Sequence, residues 1–318
     1  MLSKEELLRF VTPDETAAEF LGRQVSEAVP TGVLCIDQHV QLRPGQVLEI
    51  VGPTGTAKSE LLAQIAAHFV TSCQGDDPAA VPGHVVLIDL DCKFDPLRLI
   101  RLLSARVQSQ QALDAALARF HLARARSSAQ LLALLATLPQ RLQQMQARAR
   151  PCCLVKCSLL LIDNIGSYSW QDRAARPPPA PPPAPPGAAP TPAPAGPPLT
   201  LQRVHAAATD LLRVLSLRLR LAVVATKSAA VGWQDGGGEG ERRMTQREYL
   251  PPSWQVDFEP RRVVTHRLLL QQGRPPVVPG SQEPLTHVIA QLQSELGGRR
   301  EAPTDFFVGT GGITSRPT

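Results

Sequence analysis

The sequence predicts an α/β fold, a mostly parallel central sheet with helices on both faces. Three observations carry that prediction. Short apolar runs such as Gln46–Val51 (Q-V-L-E-I-V), His84–Asp89 (H-V-V-L-I-D) and Ser158–Asp163 (S-L-L-L-I-D) are too continuous for half-exposed strands and too short for helices. Stretches with apolar residues every three to four positions separate them. Buried strands alternating with helices are what parallel strands joined by helical crossovers require, each face of the sheet being covered. With 318 residues, 43% of them hydrophobic, the chain is long and apolar enough for one large core.

Taken in order, the strand Gln46–Val51 runs through a glycine-rich turn into an apolar-periodic helix over Ala57–Thr71. His84–Asp89 leads to a helix across Asp95–Val107, with Leu97, Ile100, Leu103 and Val107 on one side. Helices near Ala112–Ala118 and Ala129–Leu138 flank a short strand around Phe120. Ser158–Asp163 is an apolar run ending in a carboxylate. The helix Leu201–Arg218 delivers the strand Leu219–Thr226, and Val263–Gln271 and Phe306–Val308 read as late strands. Residues 1–40 form an N-terminal segment whose Leu7, Leu8 and Val11 make an apolar stripe, packed on the core or docked to a partner. Residues 41–318 form the core. It is interrupted by Pro177–Pro198, where 13 of 22 residues are Pro and 6 are Ala, a composition that excludes helix and sheet interior. Flexible loops are expected near 232–243 and 272–284, both rich in turn formers.

Composition narrows the function classes. With 3 Trp, 2 Tyr and 8 Phe, a broad aromatic platform for stacked bases is disfavoured. The net charge is +5, yet Leu97–Arg150 holds nine Arg against one acid, Asp114. Such a segment can follow a phosphate backbone, but a solvated helix face or partner surface is the better reading. No apolar run approaches the ~20 residues of a membrane span, and the N-terminus lacks the pattern of a secretory signal. An intracellular chain without membrane association is expected. The cluster Cys152-Cys153-x3-Cys157 lacks a second pair at zinc spacing, so the six cysteines read as buried free thiols.

The chemistry concentrates after the first strand, in Gly52-Pro53-Thr54-Gly55-Thr56-Ala57-Lys58-Ser59, which opens directly into a helix. Small residues let backbone N–H groups wrap phosphates, and the helix N-terminus adds its positive end. In a loop of this kind Lys58 reaches the β- and γ-phosphates of ATP, and Ser59 places its hydroxyl on Mg²⁺. The motif wants Gly where Ala57 stands. A Cβ there crowds the phosphates or strains a positive φ; if the position is already helical, it costs little. Asp163, ending a second apolar strand, is where a carboxylate holds Mg²⁺, usually through water. A tight turn and a helix cap are the bland alternative.

Three ordered motifs then carry a resemblance: the loop Gly52–Ser59, L-I-D-L-D-C-K-F-D at Leu87–Asp95, and L-L-I-D-N-I-G-S-Y-S-W-Q-D-R at Leu160–Arg173. In that order they resemble the RecA-like recombinase paralogues of eukaryotes. Asp89, Asp91, Phe94 and Asp95 meet a D-x-D-x-x-F-D turn, and Tyr168, Trp170, Asp172 and Arg173 an aromatic-x-W-x-D-R pattern. Arg242-Arg243, Tyr249-Leu250, Trp254 and Phe306-Phe307-Val308-Gly309 resemble the same family's C-terminal half. The resemblance implies a RecA-like P-loop NTPase core in a nuclear protein of homologous-recombination repair. It further implies membership of a heteromeric complex of recombinase paralogues that assists the main recombinase on single-stranded DNA.

Departures from the family temper the chemistry. Its water-activating Glu is met by Asp91, the one catalytic candidate. One methylene less moves a carboxylate about 1.5 Å, a misplacement that can cost ~10²-fold. The family's phosphate-sensing Gln is met by Lys227-Ser228, and a serine is too short for that reach. ATP binding with weak or absent hydrolysis is therefore expected. The proline insert falls at the family's first DNA loop, with Arg173 and Arg176 only at its edge. The second, Gly232–Arg247, carries Arg242, Arg243 and Arg247 beside Glu239 and Glu241, which predicts weak, salt-sensitive contact with DNA. A small-molecule kinase on the same loop lacks its lid arginines here.

Overall fold

The computed structural model describes residues 16–18, 28–72, 83–148, 158–174, 201–235, 242–247, 250, 254, 263–273, 285–294 and 301–315. Its strands are β1 (Val47–Gly52), β2 (His84–Asp89), β3 (Phe120–Arg124), β4 (Ser158–Asp163), β5 (Ala222–Ser228), β6 (Ala230–Asp235), β7 (Arg242–Arg247), β8 (His266–Gln272), β9 (Thr286–Ser294), β10 (Thr304–Gly309) and β11 (Gly312–Thr314). The helices are α1 (Leu34–Asp37), α2 (Lys58–Ser72), α3 (Pro96–Ser104), α4 (Gln110–Leu117), α5 (Ser128–Arg148), α6 (Ser169–Ala174) and α7 (Leu201–Arg218).

One nine-stranded sheet runs in the order β11-β10-β9-β8-β1-β5-β4-β2-β3. From β8 to β3 the six strands are parallel, and β9, β10 and β11 extend the β8 edge antiparallel. The expected α/β class with a mostly parallel sheet is what the chain adopts. β1 lies near the middle and is buried at every position. Its residues alternate between two cores, as strand geometry requires. Leu48 and Ile50 join Leu61, Ile65, Phe69, Leu99 and Leu103 on one face. Val47 joins Leu131, Leu135, Leu212 and Leu215 on the other. Helices therefore cover both faces. Among the described residues no helix is long and apolar enough to cross a membrane.

Several elements differ from expectation. The helix expected to end at Leu138 continues through Pro139 to Arg148. An interior proline costs about 3 kcal/mol, but Leu131, Leu135, Leu138 and Leu142 keep one face buried across it. Val29, Val33 and Ile36 pack in the same core as α2, so residues 28–40 are part of the core and not a segment apart from it. Where a loop was expected over 232–243, β6 and β7 pair as a two-stranded antiparallel ribbon outside the main sheet. Residues 236–241 between them lie outside the described residues, as do Leu7, Leu8, Val11, most of 272–284, the proline insert and the 152–157 cysteine cluster. Cys35 is buried, and burial pushes its thiol up to about 11, but Cys92 is exposed, against the expectation of a buried thiol.

Arg98 joins the C-terminal strands to α2, the helix that follows the Gly52–Ala57 loop. Its Nε donates to both carboxylate oxygens of Glu60 at 3.0 Å, and its Nη2 donates to Gly309 O at 2.9 Å. Its Nη1 donates to Thr310 O. The planar fork of a guanidinium suits this four-way grip, which a lysine could not reproduce. One of the nine arginines of the basic segment is thus spent inside the fold.

Candidate functional site

In open parallel sheets, ligands bind beyond the carboxyl ends of the strands. Here β1, β2, β4 and β5 end at Gly52, Asp89, Asp163 and Ser228 on one edge, with Gly52 opposite Ser228 and Asp89 opposite Asp163. The loop Gly52–Ala57 leaves β1 and enters α2 directly. Gly52 is required by close approach: a Cβ there would stand 2.5 Å from Thr56 Oγ1 and 2.9 Å from Leu270 Cβ. Gly55 has φ +83° and open space where a side chain would project. Thr56 is buried and its hydroxyl donates to Pro53 O at 2.8 Å, closing the turn.

Ala57 has φ +57°, so the strained alternative is the one realised. Its carbonyl accepts the first hydrogen bond of α2, from Leu61 N at 2.9 Å. A left-handed backbone costs an L-residue roughly 1–2 kcal/mol, and Gly outranks Ala at a helix N-terminus. Ala57→Gly is therefore expected to stabilise the fold by about 1 kcal/mol after the entropy of a freer unfolded chain. The melting temperature should rise by about 2 °C. A lower melting temperature would show that the loop needs the Cβ.

Lys58 lies back over the loop, its Nζ donating to Gly52 O at 2.8 Å and Pro53 O at 2.7 Å. Burial lowers its affinity for the proton, and Asp163 and Asp91 partly restore it. Ser59 Oγ donates to Asp163 Oδ2 at 2.6 Å, and Thr226 Oγ1 donates to Asp163 Oδ1 at 2.6 Å. Burial raises the Asp163 carboxyl above the usual range, the two hydroxyls lower it, and the nearby charges of Asp91 and Asp89 raise it again. The Asp163–Asn164 peptide is cis. Asp163, Asp91 and the half-buried Lys58 share this edge, while the third carboxylate, Asp89, is answered by two backbone N–H groups and by Arg124 at 3.6 Å. Mg²⁺ keeps several waters and needs few protein ligands. Among the described residues no three His, Cys, Asp or Glu side chains group to hold a metal by themselves. Ser59 and Asp163 stand together at this edge as oxygen donors.

The D-x-D-x-x-F-D turn divides its labour. Asp89, fully buried, accepts from the backbone N–H of Phe94 at 3.0 Å and of Lys93 at 3.3 Å. Asp95 caps α3 by accepting from Leu97 N at 2.9 Å, and Phe94 stacks on Phe120 at 5.6 Å. Only Asp91 turns toward the site, where Ser167 Oγ and Asn164 Nδ2 meet its two oxygens. The later motif is largely structural too. The Tyr168 hydroxyl lies 2.6 Å from both Leu90 O and Ala125 O. Asp172 accepts from Ser128 Oγ and sits 3.4 Å from His205 Nε2, joining α6 to α5 and α7. Trp170 is exposed.

Lys227 and Ser228, expected together at the sensing position, point to opposite faces. Ser228 faces the site. Lys227 is 1% exposed and pairs with Glu49 Oε1 at 3.0 Å in the second core. Glu49, fully buried, also takes Arg267 Nε at 2.6 Å and Trp254 Nε1 at 2.8 Å. The sequence reading missed Thr226, Asn164 and Ser167, although polar residues at the ends of apolar strands marked the first two. The side chains of Arg173, Arg242, Arg243 and Arg247 lie outside the described residues.

No family model matches the chain. It is 25% identical over 93% of its length to the DNA repair protein XRCC2 homolog of Arabidopsis thaliana, covering 87% of that protein. It is 28% identical over 72% of its length to the DNA repair protein XRCC2 of Mus musculus, covering 73% of it. The chain is thus similar, over most of its length, to a plant protein named as an XRCC2 homolog and to a mammalian XRCC2, both DNA repair proteins.

Proposed function

We propose that the chain serves nuclear DNA repair by homologous recombination, at double-strand breaks, as a subunit of a heteromeric complex of recombinase paralogues. In this reading a RecA-like core binds ATP with Mg²⁺ at Gly52–Ser59 and hydrolyses it weakly or not at all. The observation that carries it is the 2.6 Å hydrogen bond from Ser59 to Asp163, which joins the glycine-rich loop to the strand-end carboxylate at the sheet's carboxyl edge. The DNA repair names of the two relatives supply the biological setting.

Lys58 would exchange its carbonyl partners for phosphate oxygens, and Ser59 and Asp163 would hold the cation. Bound Mg²⁺ supplies neutralisation of phosphate charge. Weak turnover follows from Asp91: its shorter side chain is set back, and both its oxygens are already engaged. Single-stranded or branched DNA is contacted weakly, through the arginines around β7.

Affinity purification from the source cells with mass spectrometry, paired with an ATP turnover assay with and without single-stranded DNA, tests this. Recombinase paralogues should co-purify and turnover should stay near background. Turnover strongly stimulated by single-stranded DNA would replace this reading with an active ATPase that remodels recombinase filaments.

A further inference from the structure

Away from the carboxyl edge, two histidines meet on the outermost pair of parallel strands. β3 closes one edge of the large sheet and pairs with β2. Phe120 and Leu122 of β3 pack toward the first core, so His121 between them projects from the opposite face. On β2, Val86 lies in the second core, and His84, two residues before it, points the same way. The register sets Val86 opposite His121, which brings His84 and His121 together on a diagonal of that face. His84 Nδ1 and His121 Nε2 stand 3.0 Å apart, and both rings are half-buried. Arg119, which precedes β3, is held by the helix on the other face, its Nη2 donating to Val70 O at 2.6 Å.

A neutral imidazole carries one N–H and one bare nitrogen, so the direct contact takes one ring as donor and the other as acceptor. Two imidazoles that share one ion need a different spacing of their nitrogens, and the ring centres already stand where that spacing puts them. Zn²⁺ holds imidazole nitrogens at about 2.1 Å in a tetrahedron. With each ring centre about 1.1 Å behind its nitrogen, two such rings have nitrogens about 3.4 Å and centroids about 5.2 Å apart. The centroids of His84 and His121 are 5.2 Å apart, with the ring planes tilted by 34°. A small turn of each ring opens the nitrogens to the zinc spacing while the ring centres stay in place.

We propose that His84 and His121 form a bis-imidazole site for Zn²⁺ on the β2–β3 edge, with water completing its shell. The partial exposure of both rings leaves the remaining positions to solvent, and imidazole suits zinc where carboxylate and water suit magnesium. Five residues of β2 separate His84 from Asp89, about 16 Å of extended strand. The pair is therefore remote from Ser59 and Asp163, and this inference is independent of the nucleotide reading.

Calorimetric titration of the full chain with Zn²⁺ tests it, run on the wild type, His121→Gln and His84→Ala. Glutamine at 121 keeps a hydrogen-bond partner for His84 but is a poor zinc ligand, so it decides alone if His84→Ala does not fold. Each variant should bind the ion at least about tenfold more weakly, the smaller loss seen even when an outer partner of a zinc ligand is removed. Zinc taken up by thiols elsewhere is common to all three chains and cancels in the comparison. Excess Mg²⁺ should leave the binding unchanged, because it prefers oxygen ligands. With Co²⁺ in place of Zn²⁺, the absorption lost in the variants should carry no thiolate charge transfer. A wild type that takes up no zinc overturns the proposal, as does a His121→Gln titration that matches the wild type. Displacement by Mg²⁺, or a lost absorption of thiolate origin, overturns it as well.

Discussion

A chain carrying Lys58→Ala is expected to bind Mg²⁺–ATP at least about 100-fold more weakly than the wild type, each lost charge-assisted contact costing about 1.5–3 kcal/mol. The ammonium already stands over the loop, held by two backbone carbonyls that a phosphate can replace. Its charge balances Asp163 and Asp91, so alanine leaves those carboxylates facing the incoming phosphates without a counter-charge. Calorimetric titration of both proteins checks this, and equal affinity would mean that the loop is not the site. The fold should survive, because Gly52 O keeps the Ala229 N–H at 3.0 Å and Pro53 O keeps the Thr56 hydroxyl at 2.8 Å. If the protein works by assembly, partner binding should survive as well.

Glu49→Ala is expected to cost about 3–5 kcal/mol of stability, the usual range when one partner of a buried ion pair is removed. The single carboxylate answers Lys227, Arg267 and Trp254 inside the second core. Its loss removes the charge that faces the buried Lys227 and the partly buried Arg267. A urea titration should show a lower midpoint with an unchanged slope. Glu49→Leu combined with Lys227→Met should recover part of the loss, since an apolar pair of similar volume removes the stranded charge together with its partner. A cost below about 1 kcal/mol for the single change would mean that solvent reaches the pair after all.

This network also explains what the sequence could and could not disclose. The parallel core was readable because β1, β2 and β4 are short, continuous apolar runs, and the loop because glycines precede Lys-Ser at a helix start. Glu49 within Q-V-L-E-I-V and Lys227 within V-V-A-T-K-S were visible as charges in buried strands. Nothing local says that they face each other, since 178 positions separate them and only the β1–β5 register unites them. The same holds for Asn164: its polarity could be read, its contact with Asp91 could not. β9 escaped notice although Val288, Ala290 and Leu292 alternate inward, because His287, Gln291 and Gln293 break the continuous apolar run that marks β1, β2 and β4. The extension of α5 past Pro139 reverses a local rule through burial, a term that acts only once the sheet is in place.

The contact between Asp172 and His205 bears on how the gene can change. These residues flank the 26 positions between α6 and α7, so the chain departs from and returns to nearly the same spot. For a flexible connection, closing such a gap depends only logarithmically on its length, about 0.6 kcal/mol per doubling. Lengthening or shortening the insert is then almost invisible to folding, and selection has little hold on its size. Changes in the number of prolines and alanines there leave the carboxyl-edge geometry set by Ser59, Asp163 and Thr226 unchanged.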